Sequence, residues 1–67
     1  MAMSFDNMRV GRRYRLINQG EVSEFVVEKV KGINDFVLKD LTTLERYPLS
    51  DLVKYGKGKD YDLYELE

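Results

Sequence analysis

The stretch from Ser23 to Asp40, Ser-Glu-Phe-Val-Val-Glu-Lys-Val-Lys-Gly-Ile-Asn-Asp-Phe-Val-Leu-Lys-Asp, decides the fold. Valine and phenylalanine crowd both of its halves, and β-branched and aromatic side chains suit a pleated, half-buried surface. Between the halves, Gly32-Ile33-Asn34-Asp35 has the composition of a tight turn, because Gly and Asn accept positive φ at little steric cost. The stretch therefore reads as two antiparallel strands, 23–31 and 36–40, joined as a hairpin. In the first strand Phe25 and Val27 share one face while Val26 and Val30 share the other. A long strand apolar on both faces bends or bulges, which is how a small sheet curls. In the second strand Phe36 and Leu38 point the same way.

Upstream, residues 10–17 place Tyr14 and Leu16 on one face and Arg13 and Arg15 on the other, as expected of a strand with one wet side. Asn18-Gln19-Gly20-Glu21 then leads into a loop. Downstream, Leu41-Thr42-Thr43-Leu44 turns the chain into a short strand, Glu45-Arg46-Tyr47, which stops at Pro48 because proline offers no ladder donor. Residues 49–56 carry the one helical signal: Ser50 as cap, Asp51 in the first turn, Lys54 in the last and Gly56 at the left-handed C′ position. That allows about one turn, α or 3₁₀. Lys57-Gly58-Lys59-Asp60 forms a loop before a last strand, 61–66, whose inward face is either Tyr61 and Leu63 or Tyr64 and Leu66. Leu16, Phe25, Val27, Phe36 and Leu38 are the expected core, with Tyr14 and Tyr47 the tyrosines that join it.

Five short antiparallel strands, a longer loop after the first, a bent second strand and a single helical turn before the fifth resemble the SH3-like small barrel. Within that group the opening Val10-Gly11-Arg12-Arg13-Tyr14-Arg15-Leu16-Ile17-Asn18-Gln19-Gly20 is similar to the start of a KOW or Tudor-type module, in which a basic strand leads to a glycine loop. Glu21-Val22-Ser23-Glu24 departs from that pattern, being acidic where the family is small. The resemblance implies an all-β, five-stranded antiparallel barrel spanning residues 1–67 as one domain, with 1–8 a lead segment. It also implies a binding module without catalysis, and it leaves the ligand open.

Composition narrows the chemistry further. The 67 residues are 43% hydrophobic and 34% charged, a globular rather than a disordered balance. Cysteine and histidine are both absent, which excludes disulfides, Cys or Ser-His nucleophilic catalysis, imidazole acid-base chemistry and the usual zinc sites. No cofactor is expected. The acids Asp60, Asp62, Glu65 and Glu67 alternate along the last strand, without the loop spacing that wraps a metal ion. They read as solvated or edge-protecting charges. No apolar run is long enough for a membrane span and the first six residues lack the marks of a signal peptide, so a cytoplasmic protein is expected.

Two surfaces are candidates for binding. Tyr55, Tyr61 and Tyr64 are expected to gather near the last strand and helix as a groove for a protein or peptide partner, since aromatic faces bind cations and extended segments. The alternative is weak nucleic-acid binding: Arg9, Arg12, Arg13 and Arg15 face only Asp6 within residues 1–20, and Lys57 and Lys59 extend the set. Such a site works against a net charge of −1, and Glu24 and Glu28 are at hand as cross-strand partners for the arginines.

Overall fold

The structure, a computed structural model, describes residues 3–66; Met1, Ala2 and Glu67 lie outside the described residues. A single 3₁₀ turn at Phe5–Asn7 precedes β1 (Arg13–Asn18), β2 (Glu21–Val30), β3 (Phe36–Asp40), β4 (Arg46–Pro48), α1 (Leu49–Leu52) and β5 (Asp62–Leu66). The strands form one antiparallel sheet in the order β4-β3-β2-β1-β5, all-β apart from the short helical turns. Among the described residues the ladder runs from β4 to β5 and does not join them, so the sheet is open. No helix among these residues is long and apolar enough to cross a membrane.

Period-2 patterning fills one face of the sheet. Tyr14 and Leu16 of β1, Phe25 and Val27 of β2, Phe36 and Leu38 of β3 and Leu63 of β5 are buried together with Met8 and Leu49. Register makes neighbours of them: Tyr14 stands opposite Phe25, Leu16 opposite Leu63, and Val27 opposite Leu38. The Tyr14 and Phe25 rings lie 6.2 Å apart, tilted by 35°. The expected core is thus present, and Leu16 against Leu63 fixes the inward face of the last strand, leaving Tyr64 and Leu66 half-buried outside. Tyr47 packs against the cluster from the edge strand. The lead segment belongs to this core, since Met8 is buried and Met3 and Phe5 pack on it. Tyr14 is satisfied inside the core because its hydroxyl accepts the backbone N–H of Arg9 at 2.7 Å.

The bend expected of the second strand is a bulge: pairing with β3 shifts register between Val27 and Lys29. The first strand starts later than its pattern suggests, at Arg13, because Gly11 takes φ +87° and turns the chain. The longer loop expected after it is absent. Gln19 and Gly20 alone connect β1 to β2, both at positive φ (51° and 80°), as a type I′ turn requires, with Asn18 paired to Glu21. The twist of a I′ turn matches that of the strands, so no further residues are needed.

The helix also differs from its sequence signals. Pro48 occupies the cap position, and Ser50 lies within the single turn. Its backbone N–H and hydroxyl both donate to the carboxylate of Asp35, at 3.2 and 3.0 Å. A carboxylate fifteen residues upstream thus serves the first turn where a local cap was expected, and Asp35 also accepts the N–H of Phe36 at 2.8 Å. Gly56 has φ +90° but lies beyond the end of the helix at Val53, closing a separate turn by donating to the Val53 carbonyl at 2.9 Å. Asp40 performs the corresponding task between β3 and β4, accepting the N–H groups of Thr42 and Thr43 at 2.7 and 2.9 Å.

Phe25 is fully buried and Phe36 sits at 9% exposure on the margin of the cluster. Phe25→Ala should therefore cost about 3 to 5 kcal/mol, comparable with the whole stability of so small a domain, and Phe36→Ala less. Urea melts of the two variants give the order directly; the reverse order would place the centre of the core elsewhere.

Candidate functional site

The strap of residues 53–60 between α1 and β5 carries almost no buried apolar side chains, so something other than packing must hold it. The end of β1 does so. Asn18, only 8% exposed, donates its amide to the carbonyls of Leu52 and Gly56 at 3.3 and 3.1 Å, and its Oδ1 accepts the N–H of Gly58 at 2.7 Å. Gln19 donates its side-chain amide to the carbonyls of Tyr55 and Gly56 at 3.2 and 3.1 Å. In return Asp60 reaches back from the strap: its two oxygens accept the N–H groups of Gln19 and Gly20 at 2.7 and 2.8 Å. The approach is close enough to require glycine at 58, where a Cβ would fall 2.8 Å from Gln19 Cγ and 3.0 Å from Asp60 Oδ1.

These bonds shape a cleft of about 250 Å³ between the β1–β2 turn and the strap. Leu16 and Leu52 contribute its apolar surface, Glu21 and Asp51 its carboxylates, and Tyr55 its outer rim. The Tyr55 ring is 82% exposed, with the Lys54 ammonium 5.2 Å from its centroid.

The three tyrosines of the expected groove do not meet. Only Tyr55 lines this cleft. Tyr61 points with Leu63 toward the core and meets Phe5 edge-on at 6.0 Å, while the Lys57 ammonium lies 4.8 Å from one ring centroid and 5.1 Å from the other. Burial, then the charge of Asp62, push the Tyr61 hydroxyl pKa up. Tyr64, on the opposite face of β5, accepts a hydrogen bond from Arg15 Nη1 at 2.7 Å. Period 2 separates residues 61 and 64, and the sequence position of Tyr55 ties it to the strap instead.

The arginine strand is likewise divided among partners. Arg15 stands opposite Glu24 and its Nε donates to that carboxylate at 2.6 Å, which together with the Tyr64 hydroxyl holds the guanidinium pKa above its usual value. Arg12 pairs with Glu65 at 2.9 Å. Arg13, on the same strand, is also engaged. Glu28 pairs not with the arginines of β1 but with Arg46 of β4, at 2.5 Å. Lys57 lies over aromatic rings, and Arg9 and Lys59 remain exposed on separate loops. Among the described residues no group of three or more His, Cys, Asp or Glu side chains is placed to hold a metal ion.

Sequence reasoning treats Asp60 as an edge charge and Asn18 as a turn former, and misses that Asp60 holds the Gln19–Gly20 turn while Asn18 holds the strap. Asp60 is held below the usual aspartate value of 3.8 by the Gly20 N–H, against partial desolvation, with the Gln19 N–H assisting. The N–H groups of Thr43 and Thr42 lower Asp40. At Asp35 desolvation acts upward, but the bonds from Phe36 and Ser50 outweigh it and the net shift is down. At Tyr47, burial and then Asp40 push the hydroxyl up to about 12, so it stays a neutral donor.

Carboxylates depressed in the native state bind protons more readily when unfolded, so their contribution is complete above roughly pH 5 and is lost as the pH falls below about 4. Urea midpoints from pH 7 to 2 should therefore be flat and then fall. Asp60→Asn, which keeps one acceptor, should lower the midpoint at pH 7 and flatten the acid limb; an acid limb identical to that of the parent would show that Asp60 does not hold the turn. Comparison with family models, with curated proteins and with solved structures finds no match for this chain.

Proposed function

We propose that the chain is a non-catalytic binding module of the SH3-like small-barrel kind, which takes a segment of a partner protein in the cleft beneath Tyr55. The barrel reading is supported by the strand order β4-β3-β2-β1-β5, the bulge in β2 and the single helical turn before β5. The absence of His and Cys supports a role without catalysis, and the lack of Cys also fits a cytoplasmic setting.

The observation that carries the binding reading is an almost fully exposed tyrosine on the rim of a cleft whose walls are fixed by hydrogen bonds. Tyrosine supplies large contact area with two side-chain torsions to fix, and a wall ordered beforehand loses little entropy on binding. Glu21 and Asp51 favour a segment carrying a basic residue. Tyr61 and Tyr64 contribute less, being engaged by Lys57 and Arg15. The nucleic-acid reading has less support, because cross-strand carboxylates already answer Arg12 and Arg15.

Selection of a displayed random peptide library on the intact protein tests this. Enriched peptides, resynthesised, should bind Tyr55→Ala about tenfold or more weakly while its melting stays within about 0.5 kcal/mol of the parent. A library that yields no enriched sequence, or peptides indifferent to Tyr55→Ala, would reject the site.

A further inference from the structure

The geometry points to a second docking surface, on the outer face of β2, β3 and β4, that takes an acidic peptide carrying a bulky apolar side chain. It lies apart from the cleft at Tyr55, with which it shares no lining residue.

The surface follows from register. Lys29 stands opposite Val37, and Val37 opposite Pro48, so one row across the three strands runs from a cation to two apolar groups. In the next row Lys39 stands opposite Arg46, two residues along β3 and therefore on the same face as Val37. Lys31 joins from the end of the hairpin, and Tyr47 closes the side toward the sheet edge. Together Lys29, Lys31, Val37, Arg46, Tyr47 and Pro48 line a shallow depression of about 320 Å³.

Its charge is the second argument. Four cations, Lys29, Lys31, Lys39 and Arg46, meet three carboxylates, Glu28 on Arg46, Asp35 near Lys31 and Asp40 on Tyr47. The chain as a whole carries −1, so this is a local excess of positive charge. At and just before β1, in contrast, Arg15 and Arg12 are matched by Glu24 and Glu65. An apolar floor rimmed by cations complements a segment in which carboxylates flank an apolar residue. A polynucleotide is the poorer fit, because the apolar floor is aliphatic, Val37 and Pro48, and the one aromatic ring lining the depression, Tyr47, also packs against the core. The free side of β4 adds little backbone pairing, since it is three residues long and ends in proline. Side chains must therefore supply the selectivity.

The test is a titration of the isotopically labelled protein with a peptide of about ten alternating Glu and Leu residues, which extended spans the molecule. Amide resonances of Val37, Lys39, Arg46 and Tyr47 should move, and raising salt should weaken the effect. Lys29→Glu/Lys31→Glu should lose about tenfold or more in affinity, and Lys29→Glu alone less in the same direction, both melting near the parent because the lysines are exposed. Tyr55→Ala should bind the peptide as the parent does, which separates this surface from the cleft. The inference is overturned if an alternating Lys-Leu peptide moves the same amides equally, if an oligothymidine of the same length does so at lower concentration, or if the shifts map to the cleft at Tyr55.

Discussion

The rest of the molecule depends on one carboxylate. The type I′ turn at Gln19–Gly20 leaves two backbone N–H groups pointing away from the sheet, and Asp60 receives both. Charge-assisted bonds of this kind are roughly twice as strong as neutral ones. Because Asp60 sits at the end of the strap, this contact and the amide of Asn18 bring a segment some forty residues away against the tip of the first hairpin. The cleft, the placement of Tyr55 and the entry of β5 beside β1 all follow from that closure.

Asp35 and Asp40 repeat the arrangement at the other two connections of the sheet. Each accepts backbone N–H groups, Asp35 from its own turn and from α1, Asp40 from the turn into β4. A chain of this size has limited core, and this one has neither a disulfide nor a histidine to bind metal. Aspartates that tie loops to backbone occupy the place such staples would take. Among the described residues the core then needs only nine buried apolar side chains, seven of them on one face of the sheet and the others Met8 and Leu49.

What was legible in the sequence is what period 2 and local turn chemistry encode. The strand at Phe36–Asp40, the inward set from Leu16 to Leu38 and the bend in β2 follow from side-chain type at short range. The missed features are those set by partners distant in the chain. Ser50 looks like a cap, but its hydroxyl turns to Asp35, and Gly56 looks like a helix terminator when the helix has already ended. Glu28 looks like a partner for the β1 arginines, yet the bulge beside it and the register of β4 give it Arg46. The tyrosines resemble a cluster in sequence only, because a strand sends residues 61 and 64 to opposite faces.

The strand order has a consequence for how the chain comes to be folded during synthesis. β1 lies between β2, which follows it at once, and β5, which is made last, so its second edge stays bare until residue 66 has emerged. Leu63 fills its place beside Leu16 only then, and the hairpin and its neighbours hold an unfinished interior in the meantime. Closure of the core is thereby deferred until β5 has been made, because a pairing between distant strands cannot form before the second of them exists.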